Sequence, residues 1–361
     1  MIKYQVYIYF YFFIVSITMA QNQVPEIDYP DSIQIKLFAV GESHLDDNRI
    51  LQEKILLDLL EGGKIDHILL EWPLGTDKIF NRYVLFNDST YLPQIESFAH
   101  KTVVKNYHHT LNVIRQYNNK VSEDCKVSIT TIDYVNYRFL SNNLQFLAIL
   151  YPELNSSEIP VTQYYLFTIA DKMKKRMSRE KKLAIIDSLT NDFNVKSDQY
   201  RILLGDKYEL YQTSLETLKI SFLKGEGFNI RTINARDAFM FSQVDSVLKQ
   251  NKSCLLISGA DHIDKKLNDD FGSNYIYSSL TALVEEKYPG TVFSICTQYY
   301  KRKKLIKFFD EENYLKYEMK EYFPDRSNKY VVVNPEELKE HPNAVERYDV
   351  IVIQNCRRGA K

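Results

Sequence analysis

Apolar residues follow two rhythms along this chain. Short runs that are apolar at nearly every position alternate with longer stretches in which apolar residues recur every three or four places. Ile33 to Val40 is of the first kind and stops at Gly41. Leu51 to Leu60 is of the second, with Leu51, Ile55, Leu56, Leu59 and Leu60 on one helical face and Gly62-Gly63 as its stop. Ile68 to Leu70 is again a short run, ending at Glu71. Pro93 to Asn118 has helical spacing, with Ile95, Phe98, Val103, Val104, Leu111 and Ile114 on its apolar side. Lys126 to Ile132 predicts a strand ending at Asp133, and Ser253 to Ser258 one ending at Gly259, after a helix over Ala235 to Gln250. Thr291 to Thr297, Val331 to Val333 and Tyr348 to Gln354 are further strand candidates. Runs without a polar face suit strands covered on both sides. Strands and helices in alternation predict an α/β fold, a mainly parallel sheet flanked by helices. Residues 140–224 break the rhythm: they are rich in Lys, Glu, Leu and Tyr with little strand signal, and predict a helical insertion over the mouth of the site.

The first twenty residues stand apart. Lys3 is the one charge before Glu26, Val6 to Ile17 is an uncharged, largely apolar run, and Thr18-Met19-Ala20 places small residues at −3 and −1 of a cleavage site. The expectation is a signal peptide over 1–20, export to a periplasmic or secreted location, and a single domain over 21–361. The run is short for a span of about 20 residues, so no stable membrane span is expected in the mature chain.

Composition narrows the partners. Across 361 residues, 46 Lys and Arg against 47 Asp and Glu give a net charge of −1, without the basic surplus of a general nucleic-acid binder, so no nucleic acid is expected. Hydrophobic content of 45% excludes a disordered chain. Cys125, Cys254, Cys296 and Cys356 show no metal-finger spacing, and the first three lie in strand-like surroundings that suit buried thiols.

Polar residues gather where the strands end. In an open α/β sheet, ligands bind outside the carboxyl ends of the strands. Glu42 and His44 follow the first strand, Glu71 the second, Asp133 the third, and Asp261 and His262 a later one. The pattern Gly-x-x-His appears twice, at 41–44 and 259–262, with a carboxylate at a strand end between them. A neutral His is well placed to take a proton from water near pH 7, and a carboxylate beside it fixes its tautomer. His44 with Glu42 or Glu71 supplies that pair, and His262 a group to face the oxyanion or leaving group. Two His with one or two Glu also make a credible shell for a divalent metal, with His44, His262 and Glu71 as ligands; the choice between activated and metal-bound water stays open. Ser43 is not in a nucleophile elbow and suits a turn or cap. Arg236 either clamps an anionic group of the substrate or pairs with Asp237 or Glu71. His108 and Arg115, on one helix, are further candidates for substrate contact.

These residues resemble a known superfamily. Gly41-Glu-Ser-His44, Glu71, Arg236-Asp-Ala-Phe-Met240 and Gly259-Ala-Asp-His262 are similar to motifs of the erythromycin esterase, ChaN and Tiki/TraB proteins, over residues 34 to about 300 and outside 140–224. Ile114-Arg-Gln-Tyr-Asn118 and Ile132-Asp133 resemble elements of the erythromycin esterase branch. That branch has one more residue between Glu and His and usually Gly after the His, where this chain has Leu45; the spacing here resembles the Tiki/TraB pattern more. The resemblance implies an ester or amide hydrolase with catalytic Glu42, His44, Glu71 and His262 and with Arg236, Asp133, His108 and Arg115 at the substrate. It implies a small-molecule or peptide substrate and, from the Tiki/TraB side, a divalent metal. The ChaN side implies the alternative of a haem carrier without hydrolase activity.

Overall fold

The computed structural model describes residues 26–30, 34–42, 44, 47–134, 139–155, 159–174, 176–223, 230–266, 278–301, 304–305, 330–337 and 346–355. The expected signal peptide, Ser43 and Cys356 lie outside them. The strands are β1 (Leu37–Glu42), β2 (His67–Pro73), β3 (Ser128–Asp133), β4 (Cys254–Gly259), β5 (Val292–Lys301), β6 (Lys304–Leu305), β7 (Tyr330–Val333) and β8 (Val350–Asn355). The helices are α1 (Arg49–Glu61), α2 (Thr76–Phe86), α3 (Leu92–Glu96), α4 (Lys101–Asn118), α5 (Leu140–Leu150), α6 (Pro160–Gln163), α7 (Arg179–Val195), α8 (Ser197–Leu204), α9 (Tyr208–Leu223), α10 (Ile230–Leu248) and α11 (Leu280–Lys287).

One sheet runs in the order β3-β2-β4-β1-β5-β8-β7, with β6 added to β5. The pairs from β3 to β8 are parallel; β7 on β8 and β6 on β5 are antiparallel. This is the α/β fold that the alternating rhythm predicts. Successive strand residues point to opposite faces, and the core divides accordingly. Phe38, Val40, Ile68, Leu70, Leu255 and Ile257 face one cluster, which α1, α2, α4 and the 140–223 segment complete. Leu37, Ala39, Leu69, Leu256 and Val292 face the other, closed by Met240, Val244 and Val247 of α10 and by Leu280 and Val284 of α11. Each fully buried Leu or Ile contributes about 1.5–3 kcal/mol, which holds the central strands and so the ends that carry the site. Among the described residues no helix is long and apolar enough to cross a membrane.

The chain between β3 and α10 is helical, α5 to α9. Its core is aromatic: Phe193 stacks on Tyr208 at 4.9 Å and Tyr200 on Tyr211 at 5.8 Å, with the Tyr200 hydroxyl donating to Asp192 at 2.9 Å. Part of the tyrosine-rich composition is spent here. The segment meets the sheet beyond the carboxyl end of β2, where a Cβ on Gly75 would lie 3.2 Å from both Leu150 and Leu210; Gly75 also has φ of 87°, which favours glycine.

Several local expectations change. The helix over 93–118 is two, α3 and α4, because His100 leaves helical geometry and its ring accepts the Thr102 N–H at 3.3 Å as an N-cap. Two further helices, α2 and α11, join those named from the sequence, and α2 buries Ile79, Phe80, Tyr83 and Val84 at helical spacing. His67 is buried under Thr130 and Ser128. Cys125 is exposed, while Cys254 and Cys296 are buried, and the three are not joined by disulfides among the described residues.

Candidate active site

Four adjacent strands, β3, β2, β4 and β1, bring their carboxyl ends to one place. In the β1–β4 ladder Glu42 lies opposite Gly259. On β2 the register slips between Leu70 and Pro73, a bulge that frees Glu71 from the regular pleat. The Glu71 Oε2 then accepts the Gly259 N–H at 2.5 Å, so β2 is tied to β4 by a side chain where backbone pairing stops.

Arg236 reaches in from α10. Its Nε and one Nη donate to the two oxygens of Asp133 at 2.9 and 2.7 Å, a bidentate fork. That same Nη donates to Glu71 Oε1 at 2.5 Å, and the other lies 3.3 Å from His262 Nε2. His262 Nδ1 is 2.5 Å from Asp237 Oδ1, and its Nε2 is 3.5 Å from Glu71 Oε1. His44 stands on the other side of Glu71. Its Nδ1 is 3.2 Å from Glu42 Oε1 and its Nε2 3.7 Å from Glu71 Oε2. A Cβ on Gly259 would fall 3.0 Å from His44 Nε2, 3.4 Å from Glu71 Oε2 and 3.6 Å from His262 Cδ2. The bare Cα of Gly259 is therefore the point round which both histidines and Glu71 converge. The side chains of Glu42, Glu71, His262 and Asp237 are all buried, whereas that of His44 is 41% exposed. His44 is the member of this set that solvent or a substrate reaches first.

Charge follows from the contacts. Burial works against a charged His44, but Glu71 and then Glu42 outweigh it and lift the ring to about 9. His262 is likewise opposed by burial and lifted by Asp237 and Glu71, to about 10. Burial pushes the Glu71 carboxyl up, and His262, Arg236 and His44 together hold it well below its usual value. Arg236 is held charged, Asp133 and Glu71 overriding its burial. The expectation of a His44 poised near pH 7 is corrected: two carboxylates make it a stronger base that rests protonated at neutral pH. His262 has a partner in either state. Charged, it donates to Asp237 and faces Glu71; neutral, it accepts from Arg236 at Nε2.

Glu42, His44, Glu71, Asp133, Arg236 and His262, all singled out from the sequence, meet here. His108 and Arg115 do not join them. His108 pairs with Glu96 at 2.9 Å, and Arg115 lies over the Tyr83 ring at 5.0 Å and donates to Asn112. Both lie at the α2–α4 contact because the helical pitch turns them away from the residues of α4 that look at the site. Those are Asn106, Tyr107 and Thr110, all buried. Tyr107 packs edge-on against Trp72, at 5.2 Å between ring centroids, and is raised by burial and then by Glu42, Glu71 and Asp133. Asn48 and Gln52, which bond Glu42, were missed too. A signal existed for Gln52: it falls within the apolar stripe of α1, where a polar residue needs a buried partner.

A metal shell of His44, His262 and Glu71 does not fit this arrangement. The Arg236 guanidinium already neutralises Glu71, the other Glu71 oxygen takes the Gly259 N–H, and both His262 nitrogens are engaged. Among the described residues no group of three or more His, Cys, Asp or Glu is arranged to hold a metal ion. A haem iron would find only His44 Nε2 free in this cluster, and that nitrogen faces Glu71 and Gly259 instead of an apolar slot.

No protein-family model matches the chain. No curated protein matches it either. Solved structures do. A protein from Bacillus cereus is similar at 15% identity and a TM-score of 0.53, covering 89% of this chain and 88% of that one. A succinoglycan biosynthesis protein is similar at 12% identity and 0.55, covering 90% and 88%. The erythromycin esterase EreC, a histidine-to-asparagine mutant in its open conformation, is similar at 15% identity and 0.55, covering 90% and 91%. The fold is thus the one these structures share, and the likeness extends over most of each chain.

Proposed function

We propose that the protein is a hydrolase of an ester or amide bond in a small-molecule or peptide substrate, with His44 as general base. The observation that carries this is the convergence of His44 Nε2, Glu71 and His262 on the bare Cα of Gly259 with Arg236 behind them. The likeness in fold to an erythromycin esterase supports it. His44 takes a proton from water at Nε2 while Glu42 holds Nδ1 and stabilises the imidazolium that forms. The oxygen of that water bonds to the carbonyl carbon. Charge developing on the carbonyl oxygen is met by Arg236 and His262, cations already oriented by Asp133 and Asp237. The tetrahedral adduct then expels the alcohol or amine, which leaves with the proton that His44 carried. Glu71 binds Arg236, His262 and His44 into one unit. It is a positioning residue here, with no proton of its own to move.

In this proposal the chain acts outside the cytoplasm, after cleavage following Ala20; amino-terminal sequencing of exported protein that still finds Met1 would overturn that part. The test of the chemistry is a panel of generic ester and peptide substrates given to the wild type and to His44→Ala. Turnover by the wild type that His44→Ala loses supports the assignment. Turnover that survives His44→Ala but not Ser43→Ala would make the protein a serine hydrolase instead.

A further inference from the structure

A line of buried hydrogen bonds runs from α4 through α1 to the back of His44. The Thr110 hydroxyl lies 3.2 Å from both Gln52 Oε1 and the Asn106 carbonyl of its own helix and can donate to either. The Gln52 side-chain amide donates to Glu42 Oε2, and the Asn48 amide donates to the same oxygen at 3.0 Å. The other Glu42 oxygen, Oε1, faces His44 Nδ1 at 3.2 Å. Thr110, Gln52, Asn48 and Glu42 are each no more than 4% exposed.

The direction of these bonds follows from what each group can do. A carboxylate only accepts, so the Gln52 group turned to Glu42 must be its NH2. That leaves the Gln52 carbonyl toward Thr110, whose hydroxyl can donate to it, as the geometry has it. With donors from Gln52 and Asn48 on Oε2, the carboxylate is pinned in the orientation that presents Oε1 to the imidazole. The bond at Oε1 is then satisfied only if Nδ1 carries a proton. A neutral His44 therefore has its lone pair at Nε2, the nitrogen on the Gly259 side.

We propose that Gln52 is a positioning residue, which through Glu42 selects the Nδ1–H tautomer of neutral His44 and so aims the basic nitrogen at the substrate. It touches no substrate. Its effect is on which nitrogen of His44 is free and on how firmly the ring is held. This inference rests on the proposed role of His44 as base, but its central claim concerns the ring itself and is read without turnover.

The experiment is a long-range proton–nitrogen NMR spectrum of the histidine rings in the full chain, recorded at alkaline pH where His44 is neutral and assigned with His44→Ala. The expected spectrum shows a neutral His44 protonated at Nδ1 in the wild type, and a mixture of tautomers or the Nε2–H form in Gln52→Met, which keeps the side-chain length but removes the donor. If the wild type already shows Nε2–H, the proposal is wrong whatever the variant does. A Gln52→Met protein that keeps the pure Nδ1–H tautomer overturns it too. Thr110→Val, which keeps shape and leaves Gln52 able to donate, is expected to keep the Nδ1–H form, and serves where Gln52→Met does not fold; loss of the tautomer in Thr110→Val would place control in Thr110 and overturn the assignment to Gln52. Where a substrate has been found, Gln52→Met is expected to lower kcat roughly tenfold or more with little change in KM, the rate equivalent of one hydrogen bond to a charged group. Failure to find any substrate, with the tautomers as expected, would count against the hydrolase proposal and leave this one standing.

Discussion

His44 and His67 sit at opposite ends of the same sheet and have opposite surroundings. His44 follows the carboxyl end of β1, half open to solvent, with Glu42 on Nδ1 and Glu71 beyond Nε2. His67 opens β2, buried, with the Thr130 hydroxyl at 2.8 Å from Nε2 and the Ser128 hydroxyl at 3.0 Å from Nδ1. Carboxylates lift the first to about 9. Burial and then the Lys252 ammonium, 3.3 Å away, depress the second to about 3. One residue type thus serves as a basic group in the first place and as a wedge that is neutral near pH 7 in the second. What separates them is partner chemistry: two carboxylates face the His44 ring, and two hydroxyls and a lysine face that of His67.

The sharpest break of that comparison is in turnover. His44→Ala should lower the rate on the order of 10²–10⁴-fold, the usual worth of a positioned base. His67→Ala should leave kcat alone. A His67→Ala protein as inactive as His44→Ala would end the distinction. Next in size is a stability effect at the active end. Arg236→Met leaves Glu71 and Asp133, nearly buried and facing each other, without their cation. Loss of one partner from such a cluster costs about 3–5 kcal/mol, readable as a fall in the denaturation midpoint, and Arg236→Lys should recover part of it. At the other end, His67→Ala should cost about 1–3 kcal/mol through the two stranded hydroxyls.

The two ends should also differ in the pH at which they fail. His44 and His262 bind protons more tightly when folded, so their contribution is complete below about 6.5 and is lost as pH rises through about 9 and about 10. For His67 the sign reverses. Its folded value lies below the unfolded one, so it costs stability as pH falls from about 6.5 toward about 3. Denaturation midpoints across pH should therefore show an alkaline loss that is smaller in His44→Ala and an acid loss that is smaller in His67→Gln. Activity through neutral His44 should climb with pH toward about 9. The smallest effect concerns Gly259. A methyl there would crowd His44 Nε2 at 3.0 Å, so Gly259→Ala should lower kcat several-fold while leaving the fold intact; an unchanged kcat would show that the point of convergence is not where the reaction occurs.

Much of this architecture is legible in the sequence. Apolar runs as short as Ile68 to Leu70 identified buried strands because a parallel strand covered on both faces tolerates no polar position. The residues after those runs could be nominated as a site because strand ends share one edge of the sheet. That logic found Glu42, Glu71, Asp133 and His262. It found Arg236 only through a motif, since nothing in a helical rhythm says which way an arginine points. It misplaced His108 and Arg115, whose neighbours along α4 do look at the site, because a step of one residue turns a helix by about 100°. Helix α2 belongs to the same rhythm, since Ile79, Phe80, Tyr83 and Val84 form one buried stripe at helical spacing. Only the tertiary structure decided which carboxylate serves which cation. Asp237, adjacent to Arg236 in sequence, turns to His262 instead, and Arg236 takes Asp133, 103 positions away. The same holds for the relay from Thr110 to Glu42, which joins two helices and a strand. The sequence determines the strands, and with them the edge on which chemistry collects; hydrogen bonds formed across long separations depend on how those strands are ordered and how the helices are rotated against them.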